Sequence, residues 1–183
     1  MLALFAVGAS AQAAKFGVIN TSAFGAEKEG ITRYVAAVTA LNAEFTPLNT
    51  EIRTMATKLQ GLAKEIEDIN KLIAQKPDAV DRRAAQAKVD EAEKLDREIK
   101  FKQEEGKARF EKRQAAVLSP IMGDIFKAVQ EYAKSKGLTM VFDLVKLEES
   151  GALLGLDEKS DITKEFITFY NARPAATTAA TPK

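Results

Sequence analysis

The chain has 183 residues, enough for one domain, and its 27 lysines and arginines almost cancel its 26 acids, leaving a net charge of +1. That balance gives no general case for a nucleic-acid partner. There is no cysteine, histidine or tryptophan, so disulfides, thiolate chemistry, and the commonest general base and metal ligand are all missing; the composition argues against most hydrolases and most metalloenzymes, and no enzymatic role, cofactor or metal is expected.

Residues 1–13 read as a secretory signal peptide. Leu2 to Val7 is apolar, and Ala11-Gln12-Ala13 fits the small-x-small cleavage pattern. The run is short and no basic residue precedes it, as a missed upstream start codon would explain; an ordinary floppy terminus is the alternative reading. Nothing else in the sequence approaches the ~20 apolar residues of a spanning helix, so the mature chain is expected to be soluble. Lys15 to Asn20 reads as a short strand of a body segment covering 14–30, ended by Asn20-Thr21-Ser22 and punctuated by Gly25 and Gly30.

Next comes the dominant signal. Ile31, Tyr34, Val38, Leu41, Phe45, Leu48, Ile52, Met55, Leu59, Leu62, Ile66, Ile69 and Ile73 follow one another at gaps of three and four without a miss. This is the 3.5-residue repeat of a coiled-coil seam on one long helix. Each seam residue contributes roughly 1.5–3 kcal/mol when buried, so the helix requires a partner. Pro47 lies inside it and predicts a kink, because the repeat keeps its phase; a break with Thr46 as cap and Pro47 at the first helical position is the alternative. Pro77 stops the helix and Asp78 is a candidate cap for a second one.

The return helix carries a weaker stripe: Ala84, Ala85, Ala87 and Ala92, then Leu95, Ile99, Phe110, Val117, Ile121, Ile125 and Val129, with Pro120 as a second kink. About 58 residues separate the first strand from the turn, and about 58 more lead from the turn to Gly137. A hairpin over 31–136, with its tip at 76–80, therefore brings the chain back to where it left. Beyond Pro47 the arm would reach roughly 45 Å at 1.5 Å per residue. Leu138 to Leu144 is expected to lie beside the first strand, and Ala152 to Leu156 to form a third, after a turn at Glu148 to Gly151. Asp161 or Thr163 caps a last helix with an apolar face of Ile162, Phe166, Phe169 and Tyr170, closing a second body segment over 137–171. The segment 172–183 is small and polar and is expected to be a disordered tail.

Three short strands and one helix are too little to stand alone, and no disulfide or metal is available to staple them. Strands from several copies are therefore expected to close a shared sheet or barrel. Phe16, Val18, Leu138, Met140 and Phe142 are the candidate oligomerisation surface. The fold class is thus α+β: a long antiparallel helical hairpin, a coiled-coil tentacle, projecting from a small β-body that is completed by oligomerisation.

The order strand, long hairpin, strand, strand, capped helix, after an export signal, resembles the OmpH/Skp family of periplasmic chaperones. FGVIN (16–20), EFTPL (44–48), SPI (119–121), GLTMVFD (137–143) and GALLGLDEKSDIT (151–163) carry the resemblance, which extends over residues 15–171. It implies a homotrimer in the periplasm, three arms around a cavity, and ATP-independent holding of unfolded outer-membrane proteins. The absence of a G-x-x-x-x-G-K-[ST] loop agrees with the last point. Typical members have strongly basic arms, whereas residues 71–113 carry 13 basic against 10 acidic groups and residues 114–183 carry 8 against 9. A large electrostatic share in client or lipid binding is not expected from such a weak bias.

Phe101, placed opposite Leu95 and Ile99, with Lys100, Lys102, Lys107 and Arg109 of the local basic run, is the candidate surface for clients and for weak contact with lipid headgroups. Solvated helix face is the plainer reading of those charges; the stripe from Ile31 to Ile73 could be read as a client-binding surface, and a seam sealed by the return arm is its plainer reading. The acids Asp157, Glu158 and Asp161 are explained by capping. A structural coiled-coil adaptor of the cell envelope, meeting a folded partner through the tip from Lys76 to Arg83, is the alternative function.

Overall fold

The computed structural model describes residues 15–76, 78 and 80–174. The elements are β1 (Phe16–Ile19), a 3₁₀ turn (Thr21–Gly25), α1 (Thr32–Gln75), α2 (Arg82–Lys136), β2 (Met140–Asp143), α3 (Leu144–Glu149), a 3₁₀ turn (Glu158–Ser160) and α4 (Thr163–Asn171). The expected signal peptide, Pro77 of the tip, and the tail from residue 175 lie outside the described residues. Two compact units divide the chain: residues up to 36 together with those from 120, and residues 37–119. The ends of both long helices join the core of the strand-bearing unit.

In that first unit, β1 and β2 pair in parallel, Phe16 opposite Met140 and Ile19 opposite Asp143. The two strands flanking the hairpin therefore meet, as the equal lengths of its arms predicted. Gly137 ends α2 at φ 65°, where a side chain would be strained. Two capping bonds close the end, from Leu138 N–H to the Ala133 carbonyl at 2.9 Å and from Gly137 N–H to the Lys134 carbonyl at 3.2 Å.

Three expectations fail here. Ala152 to Leu156 is not a strand: it pairs with neither β1 nor β2, and Leu154 is 98% exposed. The second neighbour of β1 is instead the stretch at Asp161 and Ile162, where the Ile162 N–H donates to the Val18 carbonyl at 3.0 Å. Leu144 does not extend β2. The Asp143 carboxylate accepts from the Val145 N–H at 3.0 Å, capping α3, which the sequence reading missed. Arg173 is not part of a loose tail, since its guanidinium meets Glu131 at 3.0 Å and lies over the Tyr170 ring at 5.7 Å.

Polar residues of the strand-end motifs tie the unit together. The Asn20 N–H donates to Thr163 Oγ1 at 2.9 Å, and the Thr21 hydroxyl to the Asp143 carboxylate at 2.9 Å. Asp161 accepts from the Thr163 N–H at 2.9 Å, so the aspartate provides the side-chain cap and the threonine receives it. Phe166 is fully buried and packs against Phe24 and Tyr132, each with ring centroids at 5.8 Å. Ile31, Ile121, Ile125, Ala128, Tyr132 and Ile167 complete this core. Asn171 holds the first turn of α1 from α4, accepting from the Thr32 N–H at 3.1 Å and donating to the Gly30 carbonyl at 3.0 Å.

In the second unit, α1 and α2 lie antiparallel. Helix α1 runs through Pro47 without a break, and Thr46 does not act as a cap: its hydroxyl donates back to the Asn42 carbonyl at 3.0 Å. Pro120 likewise sits inside a continuous α2. Asp81, rather than Asp78, caps α2, accepting from the N–H groups of Arg83 at 2.9 Å and Ala84 at 3.2 Å.

Candidate functional site

The hairpin seam is built as the repeat requires. From Leu41 to Ile73 every α1 seam residue is buried or half-buried, and Leu62 forms a core with Leu95 and Ile99, flanked by Ile52, Met55, Leu59 and Ala92. Phe45 meets Phe110 edge-on at 5.1 Å. Two seam places on α2 are held by residues that a search for apolar side chains skips. Gly106 is buried, and a Cβ there would stand 2.7 Å from Leu48 Cδ2, so the missing side chain is what admits Leu48. Lys102 is half-buried and reaches across to Glu51 at 3.0 Å.

The two edges of the seam differ chemically. One edge of α1 carries Glu44, Glu51, Lys58 and Glu65, spaced seven apart. They pair across with Arg113 (2.9 Å) and Arg109 (3.8 Å), with Lys102 (3.0 Å), with Glu91 (2.7 Å), and with Lys88. The order acid, acid, base, acid faces base, base, acid, base, which matches one register of the hairpin. Hydrogen bonding to these partners, reinforced by their charge, raises the Lys88 and Lys102 ammonium groups above the usual lysine range and lowers the Glu91 carboxyl. The other edge of α1 carries Asn49, Ala56, Ala63 and Asn70, and no ion pair crosses there among the described residues.

The candidate client residues do not form one patch. Phe101 is 65% exposed and lies on the back of α2, away from Leu95 and Ile99. Lys102 and Arg109 belong to the ion-paired edge, and Arg109 also lies over the Phe45 ring at 5.5 Å. Lys100 pairs along its own helix with Asp96 at 2.7 Å, and Lys107 lies 4.0 Å from Glu111. Lys100 and Lys107 are on the edge without cross-helix pairs.

In the first unit, the candidate oligomerisation residues separate into two groups. Val18 is 5% exposed and belongs to the chain's own core, and Leu138 is half-buried. Phe16, Met140 and Phe142 remain open to solvent at 48, 49 and 39%, with Phe16 and Phe142 rings 6.2 Å apart. Leu154 and Leu156 add to the exposed apolar surface of this unit. Sequence patterning alone could not separate Val18 from this set, because both neighbours of β1 lie more than 120 residues further along the chain.

The strongest polar constellation in this unit is structural. Tyr170 donates to Asp124 at 2.7 Å, and Arg33 approaches the same oxygen at 3.5 Å. Burial, then the bond to Asp124, pushes the Tyr170 phenol up to about 12. Among the described residues no group of three or more acids is placed to hold a metal ion. No helix of the described residues is long and apolar enough to cross a membrane.

Among curated proteins none matches the chain. The family model described as outer membrane protein (OmpH-like) matches residues 15–170, nearly everything from the first strand to the last helix. On that extent of agreement, and on a hairpin whose flanking strands pair, the chain belongs to the OmpH-like family.

Proposed function

We propose that this protein is an ATP-independent holdase of the periplasm that keeps unfolded outer-membrane proteins soluble, working as a homotrimer with clients held between its helical arms. The observation that carries this reading is the unfinished sheet. Two four-residue strands are too few to be stable with one face open, and Phe16, Met140 and Phe142 leave that face apolar and only partly covered by the described residues. A second and third copy would cover it and set three hairpins around one axis. Family membership supports the chaperone role. Holding without nucleotide then rests on many weak contacts whose sum is strong and whose separate lifetimes are short.

The test is direct. Protein lacking residues 1–13 is mixed with an unfolded β-barrel membrane protein diluted from denaturant. It should suppress aggregation at low micromolar concentration without nucleotide, and failure to do so refutes the reading. The adaptor reading keeps one observation in its favour, since Leu72, near the tip, is 42% exposed. It predicts that exchanging tip residues between Lys76 and Arg83 abolishes capture of a folded partner and leaves client holding intact.

A further inference from the structure

The edge of the hairpin without cross-helix ion pairs opens into two grooves of the same chemistry. The first, of 350 Å³, has Leu48, Ile52 and Phe110 in its floor and Asn49, Gln103 and Lys107 at its rim. The second, of 210 Å³, has Ile66, Ile69 and Val89 in its floor and Asn70, Gln86 and Arg82 at its rim. Each thus joins an apolar floor to one asparagine from α1, and to one glutamine and one cation from α2. Neither groove has an acid in its lining. The neighbour of Lys107, Glu111, stands outside the first groove, and the only side-chain bond of Gln86 is a donation to Asp90 that leaves its carbonyl free among the described residues. Asn49 and Asn70 are exposed.

We infer that these grooves are a repeated pair of subsites for unfolded polypeptide, each taking an aromatic or branched side chain whose neighbour in the sequence is an acid. The inference rests on the holdase reading and gives it a place and a preference. The floor removes the apolar side chain from water. The amides can exchange hydrogen bonds with peptide groups that have no secondary structure of their own to satisfy them. The lone cation in each groove selects for a carboxylate beside the anchor.

The spacing makes the idea quantitative. Asn49 and Asn70 are three heptads apart, all of it beyond Pro47, so the grooves lie roughly 30 Å apart at 1.5 Å per residue. An extended chain covers that distance in about ten residues at ~3.3 Å each. A client whose anchors recur at that interval fills both grooves, and the second anchor then binds at a high effective concentration.

Synthetic unstructured peptides test this by fluorescence anisotropy. One carries two Phe-Asp pairs about ten residues apart, another the same pairs about five apart, and a third a single pair. The ten-residue spacing should bind at least tenfold more tightly than either of the others. Arg82→Glu or Lys107→Glu should each reduce it to the affinity of the single pair, with helical content by circular dichroism unchanged. Equal binding by all three peptides, or no effect of either charge reversal, overturns the inference; if the same protein still keeps an unfolded β-barrel soluble, the holdase reading survives that failure. Peptide binding that follows the spacing in a protein unable to hold any client keeps the subsites and removes the holdase role. Self-association of the protein that both reversals abolish would identify a second copy as the occupant and overturn the inference.

Discussion

Phe142→Glu is the most informative single change for the proposed assembly. Phe16, Met140 and Phe142 are 48, 49 and 39% exposed, and side chains of this size present about 200 Å² each when free. Covering what remains open therefore removes roughly 250 Å² of largely apolar surface per copy, or about 6 kcal/mol at 25 cal/mol per Å². Phe142 contributes about a third of that, roughly 2 kcal/mol, before the cost of placing a carboxylate against the other two side chains. At 1.4 kcal/mol per tenfold, each contact weakens by about thirtyfold, and a ring of three contacts by on the order of 10⁴-fold. Sedimentation equilibrium or native mass spectrometry at micromolar concentration should show three chains for the parent protein and one for the variant. Phe101→Glu, on the exposed back of α2, is the control and should leave three chains. A parent protein that is a single chain, or a Phe142→Glu variant that assembles as well as the parent, refutes the argument that the sheet is unfinished.

Other changes probe the two units separately. Phe166→Ala empties the centre of the strand-bearing core and should cost about 3–5 kcal/mol in chemical denaturation. Leu62→Ala should cost about 2 kcal/mol, because a two-helix seam can close partly around the gap, and hydrogen exchange should place its effect between residues 52 and 99. Gly137→Ala should cost about 1 kcal/mol, since φ 65° is strained for any residue with a Cβ. Tyr170 should ionise at about 12 by tyrosinate absorbance, and lower in Asp124→Asn. With the folded value above the free value of 10.0, its contribution to stability is whole below pH 10.0 and is lost as the pH rises through about 12, so none of it varies near neutrality.

What could be read from the sequence was periodic or punctuated. The α1 stripe, the end of α1 before Pro77, the stop at Gly137 and the pairing of the flanking strands follow from side-chain spacing, from proline and glycine, and from two arms of equal length. What could not be read depended on residues far away or on a side chain that turns back to the backbone. Val18 looks like Phe16 in a strand pattern, yet Asp161 pairs beside it and its side chain is buried. Leu144 looks like the continuation of a strand until Asp143 caps the backbone beyond it. The return stripe fades in sequence because Lys102 and Gly106 occupy seam places, one by reaching an acid on α1 and the other by leaving room for Leu48. The basic run at 100–113 read as one patch because lysines and arginines adjacent in sequence look adjacent in space. On α2 they point to different edges and spend different shares of their charge within the hairpin.

That division bears on how an arm of this kind can hold a client without unravelling. The α1 seam is occupied from Leu41 to Ile73, so a client that competed for it would have to separate the helices and lose the burial that keeps them paired. The charged edge is a poor alternative, since Arg109, Arg113, Lys102 and Lys88 already face acids on α1, and a visiting carboxylate would have to displace them. The edge of Asn49, Ala56, Ala63 and Asn70 offers surface that no cross-helix ion pair occupies among the described residues. Reversing Lys58 to Glu should therefore disturb the register of the arm, and Glu91→Lys in the same chain should restore it, read as the protection of seam amides from exchange. If peptide binding at Lys107 and Arg82 survives in the single Lys58→Glu variant while that protection falls, the two edges act independently; loss of both together would mean that the grooves exist only in the register the ion pairs select.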